Sequence, residues 1–110
     1  ATVTLRGQGR GGRNTEFALA LALALDAPRA PGRVWALSAG TDGLDGQSGA
    51  AGAWIEPATL AQARAGGLRA RDMLDDNDSG TFFERLGALV RTGPTQTNVN
   101  DFRAILVLPR

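Results

Sequence analysis

Several residue types that commonly carry chemistry are missing from this chain of 110 residues. It contains no cysteine, histidine or tyrosine, and all 12 basic residues are arginine, so lysine is missing as well. Disulfides, thiolate nucleophiles, histidine general bases and His/Cys zinc sites are therefore excluded within this sequence. A Walker phosphate loop is excluded too, because that motif needs a lysine. Any chemistry must use Arg, Asp, Glu, Ser, Thr, Asn or backbone amides.

Strong charge and long apolar runs are also missing. Against the 12 basic residues stand 11 acidic ones, and the formal net charge of +1 favours neither nucleic acid nor an anionic membrane as a partner. The longest apolar run, residues 17–25, is about half the length of a membrane span, and no signal-peptide pattern opens the sequence. The hydrophobic content of 43 % and the length fit one folded domain. We expect it to act in the cytoplasm.

Hydrophobic patterns and turn residues divide the chain into short elements. Residues 2–5 alternate like a strand, and a glycine-rich loop over residues 6–13 leads into a helix. That helix is predicted to be capped by Asn14 or Thr15 and to end near Asp26. Further strands are predicted at 34–38, 89–90 and 102–108, and further helices begin at Pro57, Leu68 and Ser79, with stops at Gly66 and Gly87.

The order of these elements predicts the fold class. Strand, helix and strand at the front favour a layered α/β, Rossmann-like domain with a mixed, mostly parallel sheet. The last two strands, 89–90 and 102–108, are joined by a turn-rich segment, and we expect them to pair antiparallel.

The first candidate site is the glycine-rich loop, which fits G-x-G-x-x-G through Gly9 and Gly12. Such a loop brings backbone N–H groups to an anion at the start of a helix, and Arg10 and Arg13 flank it here. We interpret it as a phosphate-binding loop and keep a plain glycine turn as the alternative. A dinucleotide fold is less well supported, because the acidic residue at the end of the next strand, Asp42, lies 30 residues beyond Gly12 rather than about 20.

The second candidate is the loop after the strand at 34–38, where Thr41, Asp42 and Asp45 stand among glycines. Open α/β sheets build ligand sites at the carboxyl ends of their strands. Asp42 and Asp45 could hold Mg²⁺, or Asp42 could act as a base toward a substrate hydroxyl. The alternative is a pair of Asx turns, which Asp-Gly dipeptides form without any ligand.

The third candidate is the polar segment over residues 92–101. Thr95, Thr97 and Asn98 could donate hydrogen bonds to phosphate oxygens, whereas Asn100 and Asp101 are expected to tie neighbouring loops together. The acidic residues 75–78 are interpreted as a solvated junction with a helix cap.

Together, three ordered segments resemble one known family, the MOFRL domain. They are Gly11-Gly12-Arg13-Asn14 with Glu16, then Gly40-Thr41-Asp42-Gly43 with Asp45-Gly46 and Ala50-Ala51-Gly52-Ala53, then Thr92-Gly93-Pro94-Thr95 with residues 97–101. This is the carboxy-terminal domain of bacterial-type glycerate 2-kinases, many of which carry the label hydroxypyruvate reductase. The sequence departs from the family pattern at Gln96, where the family usually has glycine.

The resemblance implies ATP-dependent phosphorylation of D-glycerate on its 2-hydroxyl, with ATP and Mg²⁺ as cofactors. It also implies a second, amino-terminal Rossmann-like domain in a longer protein, with the active cleft between the two domains, so we expect the isolated domain to be inactive. Arg13 and Asp42 are the candidate catalytic residues. The candidate substrate- or phosphate-binding residues are Gly9, Gly11, Gly12, Asn14, Glu16, Thr41, Asp45, Thr95, Thr97 and Asn98.

Two alternatives stay open. The G-x-G-x-x-G match and the family label fit an NAD(P)-dependent reductase of hydroxypyruvate. A non-catalytic module that only completes a cleft made elsewhere fits the chain as well.

Overall fold

The computed structural model describes residues 7–26, 32–96 and 100–109. In chain order these form α1 (Arg13–Ala24), β1 (Arg33–Gly40), β2 (Gly52–Ile55), α2 (Thr59–Ala65), α3 (Ala70–Asp75), α4 (Ser79–Leu86), β3 (Leu89–Val90) and β4 (Asp101–Leu108). The strand predicted at residues 2–5 lies outside the described residues, as do two predicted site residues, Thr97 and Asn98.

The four described strands form one sheet in the order β3-β2-β1-β4, and every neighbouring pair is antiparallel. The prediction of a mostly parallel, Rossmann-like sheet is therefore wrong for these strands. The apolar run at residues 34–38 identified a strand, and such a continuous run is typical of parallel strands, but here it belongs to an antiparallel sheet. A loop without a helix joins β1 to β2, and such a connection suits antiparallel neighbours, whereas parallel strands need a longer crossover.

The pairing at the end of the chain also differs from the prediction. β3 pairs with β2, through Gly52↔Val90 and Ala53↔Leu89, and β4 pairs with β1 along its whole length, from Arg33↔Leu108 to Gly40↔Asp101. The sequence reading did not identify β2, because its four residues include two small ones. Position 52 requires glycine, because a Cβ there would overlap the carbonyl oxygen of Ser38 on β1.

The helices and their ends follow the sequence more closely. α2 ends at Gly66, and α4 ends at Gly87, whose φ of 70° is a left-handed conformation that glycine tolerates. α1 begins two or three residues earlier than predicted, with Gly12 as its N-cap, so Asn14 and Thr15 lie inside the helix and are fully buried.

The hydrophobic core lies between the helices and one face of the sheet. Its centre is formed by Leu19 of α1, Ile55 of β2 and the ring pair Phe82–Phe83, which packs edge to face at 5.0 Å between centroids. Large apolar side chains of β4, among them Phe102 and Leu106, are exposed. The described part of the chain contains no helix that is long and apolar enough to span a membrane.

Candidate functional site

The start of α1 is occupied by the carboxylate of Asp45, which comes from the loop after β1. Its Oδ1 accepts a hydrogen bond from the backbone N–H of Asn14 at 2.8 Å, and its Oδ2 accepts one from the N–H of Thr15 at 2.9 Å. Asp45 is 3 % exposed. The first N–H groups of a helix lack partners in the helix and attract an anion. Here that anion belongs to the protein itself, so the helix start has no free N–H pair for a phosphate at these two positions.

The glycine-rich loop is held by the acidic junction between α3 and α4. Gly7 N donates to Asn77 Oδ1 at 2.8 Å, Gly9 N to the carbonyl oxygen of Asp76 at 2.9 Å, and Arg10 N to Asp78 Oδ1 at 2.9 Å. The acidic junction is therefore a clamp for this loop in addition to a polar turn. Because these amides already have partners, the geometry favours the plain glycine turn over the phosphate-binding loop.

The two glycines closest to the helix are also committed to the protein. Gly12 N donates to Thr15 Oγ1 at 3.0 Å, and the carbonyl oxygen of Gly11 accepts a bond from Gln47 N at 2.8 Å. Beside this loop lies a cleft of about 380 Å³ that Glu16 and Asn77 help to line. There Glu16 Oε1 accepts a hydrogen bond from Asn77 Nδ2 at 2.9 Å, so Glu16 braces the clamp.

Arg13 is paired with Asp101 at the amino end of β4. Its Nε lies 2.9 Å from Oδ1 and 2.8 Å from Oδ2 of that carboxylate, and Asn14 Nδ2 donates to the same Oδ1 at 3.0 Å. The hydrogen bond to Asp101 raises the pKa of Arg13, and in turn it lowers the pKa of Asp101 below its usual value. The Arg13 side chain is 40 % exposed. Within the described ranges no hydrogen-bond acceptor contacts its two terminal Nη groups, so they can receive a ligand.

The loop that carries Thr41 and Asp42 is tied to the segment around Thr95 and Asn100. Thr41 donates from its N–H and from Oγ1 to the carbonyl oxygen of Asn100, at 2.9 and 2.8 Å. Thr95 N donates to the carbonyl oxygen of Asp42 at 3.0 Å, and Thr95 Oγ1 donates to that of Thr41. Of the predicted binding residues, Thr41 and Thr95 therefore hold the two loops together.

Asp42 itself forms the Asx turn that was kept as an alternative. Its Oδ1 accepts the N–H of Leu44 at 3.0 Å, and its side chain is partly exposed. The negative charges of Asp42 and Asp45 both act on Arg13 and raise its pKa. Arg13 and Asp42 thus lie at the same rim of the sheet, where the end of β1 meets the starts of α1 and β4.

A magnesium site made by Asp42 and Asp45 together does not fit this arrangement. Both Asp45 oxygens accept backbone hydrogen bonds, and Asn14 Nδ2 lies 3.2 Å from Oδ1 as a third donor. Among residues 7–26, 32–96 and 100–109, no group of three or more Asp, Glu, His or Cys side chains is placed to hold a metal ion. Of the two carboxylates, Asp42 is the one that keeps an oxygen for an outside partner.

Three residues of this rim, Ser38, Asp101 and Arg103, were not predicted as parts of a binding site. Ser38 Oγ donates to Asn14 Oδ1 at 2.6 Å, which orients the amide so that its Nδ2 reaches Asp101. Arg103 donates from Nε to Ser38 Oγ at 3.3 Å and stacks on the ring of Phe17 at 3.9 Å. Asp101 and Arg103 are two residues apart and so share a face of β4. Two opposite charges on one strand face are the sequence feature that could have indicated their part in the site.

The sequence profile of the MOFRL family matches residues 1–101. The chain belongs to the MOFRL family. A protein from Agrobacterium vitis named "Putative hydroxypyruvate reductase" is 53 % identical over 100 residues, which cover 91 % of this chain and 25 % of that protein. The human protein named glycerate kinase is 50 % identical over 113 residues, covering 99 % of this chain and 22 % of that protein.

A solved structure agrees with the match. The crystal structure of glycerate kinase from Thermotoga maritima superposes with a TM-score of 0.88 at 42 % identity, over 97 % of this chain and 25 % of that one. This MOFRL-family chain therefore spans about a quarter of the length of the relatives it matches.

Proposed function

We propose that this MOFRL domain supplies one side of the active cleft of a cytoplasmic glycerate kinase, and that another domain of the same protein supplies the other side. The reaction is the transfer of the terminal phosphate of ATP to the 2-hydroxyl of D-glycerate. The observation that carries the proposal is Arg13, because its Nε is held by Asp101 while no described residue accepts a hydrogen bond from its terminal Nη groups. The relatives named glycerate kinase support the choice of reaction.

Arg13 suits phosphoryl transfer because that reaction needs charge neutralisation and alignment more than covalent help. A guanidinium presents two parallel N–H donors that match a carboxylate or a phosphate. Asp101 takes up Nε, so the orientation of the Arg13 head is set before a ligand arrives. In this proposal the Nη groups hold the carboxylate of D-glycerate or the phosphate in transfer.

Of the two aspartates in the loop after β1, Asp42 is the one that keeps an oxygen available for chemistry. Its Oδ1 is engaged in the turn to Leu44, and its Oδ2 would accept the proton of the substrate hydroxyl or contact Mg²⁺. When bound, Mg²⁺ would neutralise charge on the phosphates of ATP. Asp45 is left out of this role, because its hydrogen bonds commit it to capping α1.

The test uses the full-length protein that contains this domain. Arg13→Ala is expected to lower D-glycerate-dependent ADP formation by a factor of about 10² or more while the protein stays folded, because a charge-stabilising donor is lost. Arg10→Ala is the matched control. Arg10 is an exposed arginine only three positions away that pairs with Glu84, and its loss should leave turnover unchanged. Near-normal turnover of Arg13→Ala would remove Arg13 from the mechanism.

The reductase alternative has one specific observation in its favour, the name of the Agrobacterium vitis relative. It predicts oxidation of NADH or NADPH with hydroxypyruvate. ADP formation that depends on D-glycerate, without NADH oxidation, decides for the kinase. In the third alternative the domain only completes the cleft, and Arg13→Ala then leaves turnover intact.

A further inference from the structure

Two arginines lie close to Asp101 at the start of β4: Arg13, whose Nε it binds, and Arg103, two residues further along the strand. Arg13 and Phe17 are one helical turn apart and so share a face of α1, and Arg103 stacks on the Phe17 ring at 3.9 Å. Asp101 and Arg103 are two residues apart on β4 and share a face of that strand. The positive charges of both arginines act on Asp101 and favour its ionised form. The three side chains therefore carry a net positive charge at the rim.

Both arginines are held in the same way. Arg13 uses Nε for Asp101, and Arg103 uses Nε for Ser38. In the part of the chain that the structure describes, no acceptor contacts the terminal Nη groups of either residue. The ring of Phe17 supports the flat side of the Arg103 head. Each head is thus oriented by a bond through Nε, and its Nη donors have no acceptor among the described residues.

We propose that Arg103 and Arg13 together form a binding site for a phosphoryl group, with Asp101 as the carboxylate that anchors Arg13. A single guanidinium saturates a planar carboxylate with two parallel hydrogen bonds. A phosphoryl group has three peripheral oxygens and accepts donors from two directions. This inference rests on the proposed function and adds to it a residue, Arg103, and a ligand class. The phosphoryl group belongs either to the nucleotide or to the phosphorylated acid.

The test measures binding of inorganic phosphate to the full-length protein by titration calorimetry. Arg103→Gln is expected to raise the dissociation constant for phosphate about tenfold, since a charge-assisted hydrogen bond is lost. Arg103→Lys keeps the charge without the fork and should lie between Arg103→Gln and the unmodified protein. Arg33→Gln is the matched control, because Arg33 also stacks on a ring, that of Trp35, at 5.8 Å. Its phosphate binding should not change.

Inhibition of the kinase then identifies the source of the phosphoryl group. If the nucleotide provides it, Arg103→Gln weakens inhibition by ADP; if the phosphorylated acid provides it, the variant weakens inhibition by 2-phosphoglycerate.

The proposal is overturned if the folded Arg103→Gln and Arg103→Lys proteins bind phosphate as the unmodified protein does, or if that protein binds none. Arg103 would then serve only to pack against Phe17. A protein without glycerate-dependent ADP formation would refute the proposed function, while the phosphate titration would still decide the role of Arg103.

Discussion

Asp45 and Asp101 lie on two sides of Asn14, and both accept a hydrogen bond from its Nδ2, yet they do different work. Asp45 is 3 % exposed, and its partners are the backbone of α1 and the Asn14 amide. Asp101 lies nearer the surface, and its main partner is the Arg13 guanidinium, whose Nη donors have no acceptor among the described residues. The Asp45 carboxylate stabilises the fold by capping α1, whereas the Asp101 carboxylate orients the Arg13 guanidinium, which could bind a ligand.

The difference shows that residue type and loop position do not reveal a site by themselves. Asp45 stands in a glycine-rich loop after a strand, as a ligand-binding carboxylate often does, but its burial and its backbone partners make it a cap. Asp101 lies in a segment expected only to tie loops together, but its partner gives it a positioning role. The partners of a carboxylate decide its role, and substitutions at Asp45 and Asp101 test that comparison.

The largest effect on stability is expected for Asp45→Ala. The substitution leaves two buried helix N–H groups and the Asn14 amide without this acceptor, and we expect a loss of about 3 kcal/mol in the free energy of unfolding. Urea denaturation of the full-length protein, monitored with a probe placed in this domain, measures this loss. Asp42→Ala is the control, with an expected loss under about 1 kcal/mol because its turn is partly exposed. Equal losses in the two variants would contradict the capping role.

A smaller effect with a distinctive pH dependence is expected for Asp101→Asn. At pH 7 the loss is about 1 kcal/mol, from the ion pair with Arg13. Because folding lowers the pKa of Asp101, its contribution is fully present above the unfolded value of about 4 and is lost as the pH falls through the folded value. Unfolding free energies measured from pH 7 down to pH 2 should therefore converge for the two proteins.

Asp101→Asn should also separate positioning from folding. We expect kcat/KM for D-glycerate to fall about tenfold, since the Arg13 head loses its anchor while its charge remains. Asp101→Glu, which restores a carboxylate, should recover part of that loss. A variant that loses stability but keeps kcat/KM would place Asp101 with Asp45 among purely structural carboxylates.

The smallest effect is expected in the loop that leads toward β4. Gln96 has a φ of 61°, a left-handed conformation that costs a residue with a Cβ about 1 kcal/mol. Gln96→Gly should therefore stabilise the protein by up to about 0.5 kcal/mol after the added chain entropy of glycine is subtracted. Gly93→Ala is the reverse substitution, at a glycine with a φ of 68° and open space around it. We expect it to lower stability through backbone strain alone. Thermal unfolding of both variants checks the pair.

The sequence contained enough information for the helices, for the two long strands and for the family. Glycine stops ended α2 and α4 where expected, since a left-handed residue after a helix has a local signature. The MOFRL resemblance came from short motifs, and the family profile confirms it. Strand direction was predicted wrongly, although the helix-free connection between β1 and β2 suits antiparallel neighbours.

The site was harder to predict for a related reason. Asp45 caps a helix about 30 residues earlier in the chain, and Asn77 clamps Gly7 across 70 residues. A helix cap is normally expected beside the helix and a ligand beside the glycines. Here side chains that are distant in sequence cap the helix and bind the glycine-rich loop instead. Arg13 could be predicted as a site residue because an arginine at a helix start is a local feature, whereas its anchor Asp101 lies 88 residues away.

The contact between Gly12 and Asp45 limits how this domain can move. A Cβ on Gly12 would collide with the backbone of Asp45, and the carboxylate of the same residue grips the next two amides of α1. A flap motion of the segment between β1 and β2 would have to uncap the helix. If the proposed reaction includes a closing step, we expect the loop and the start of α1 to move together as one rigid body.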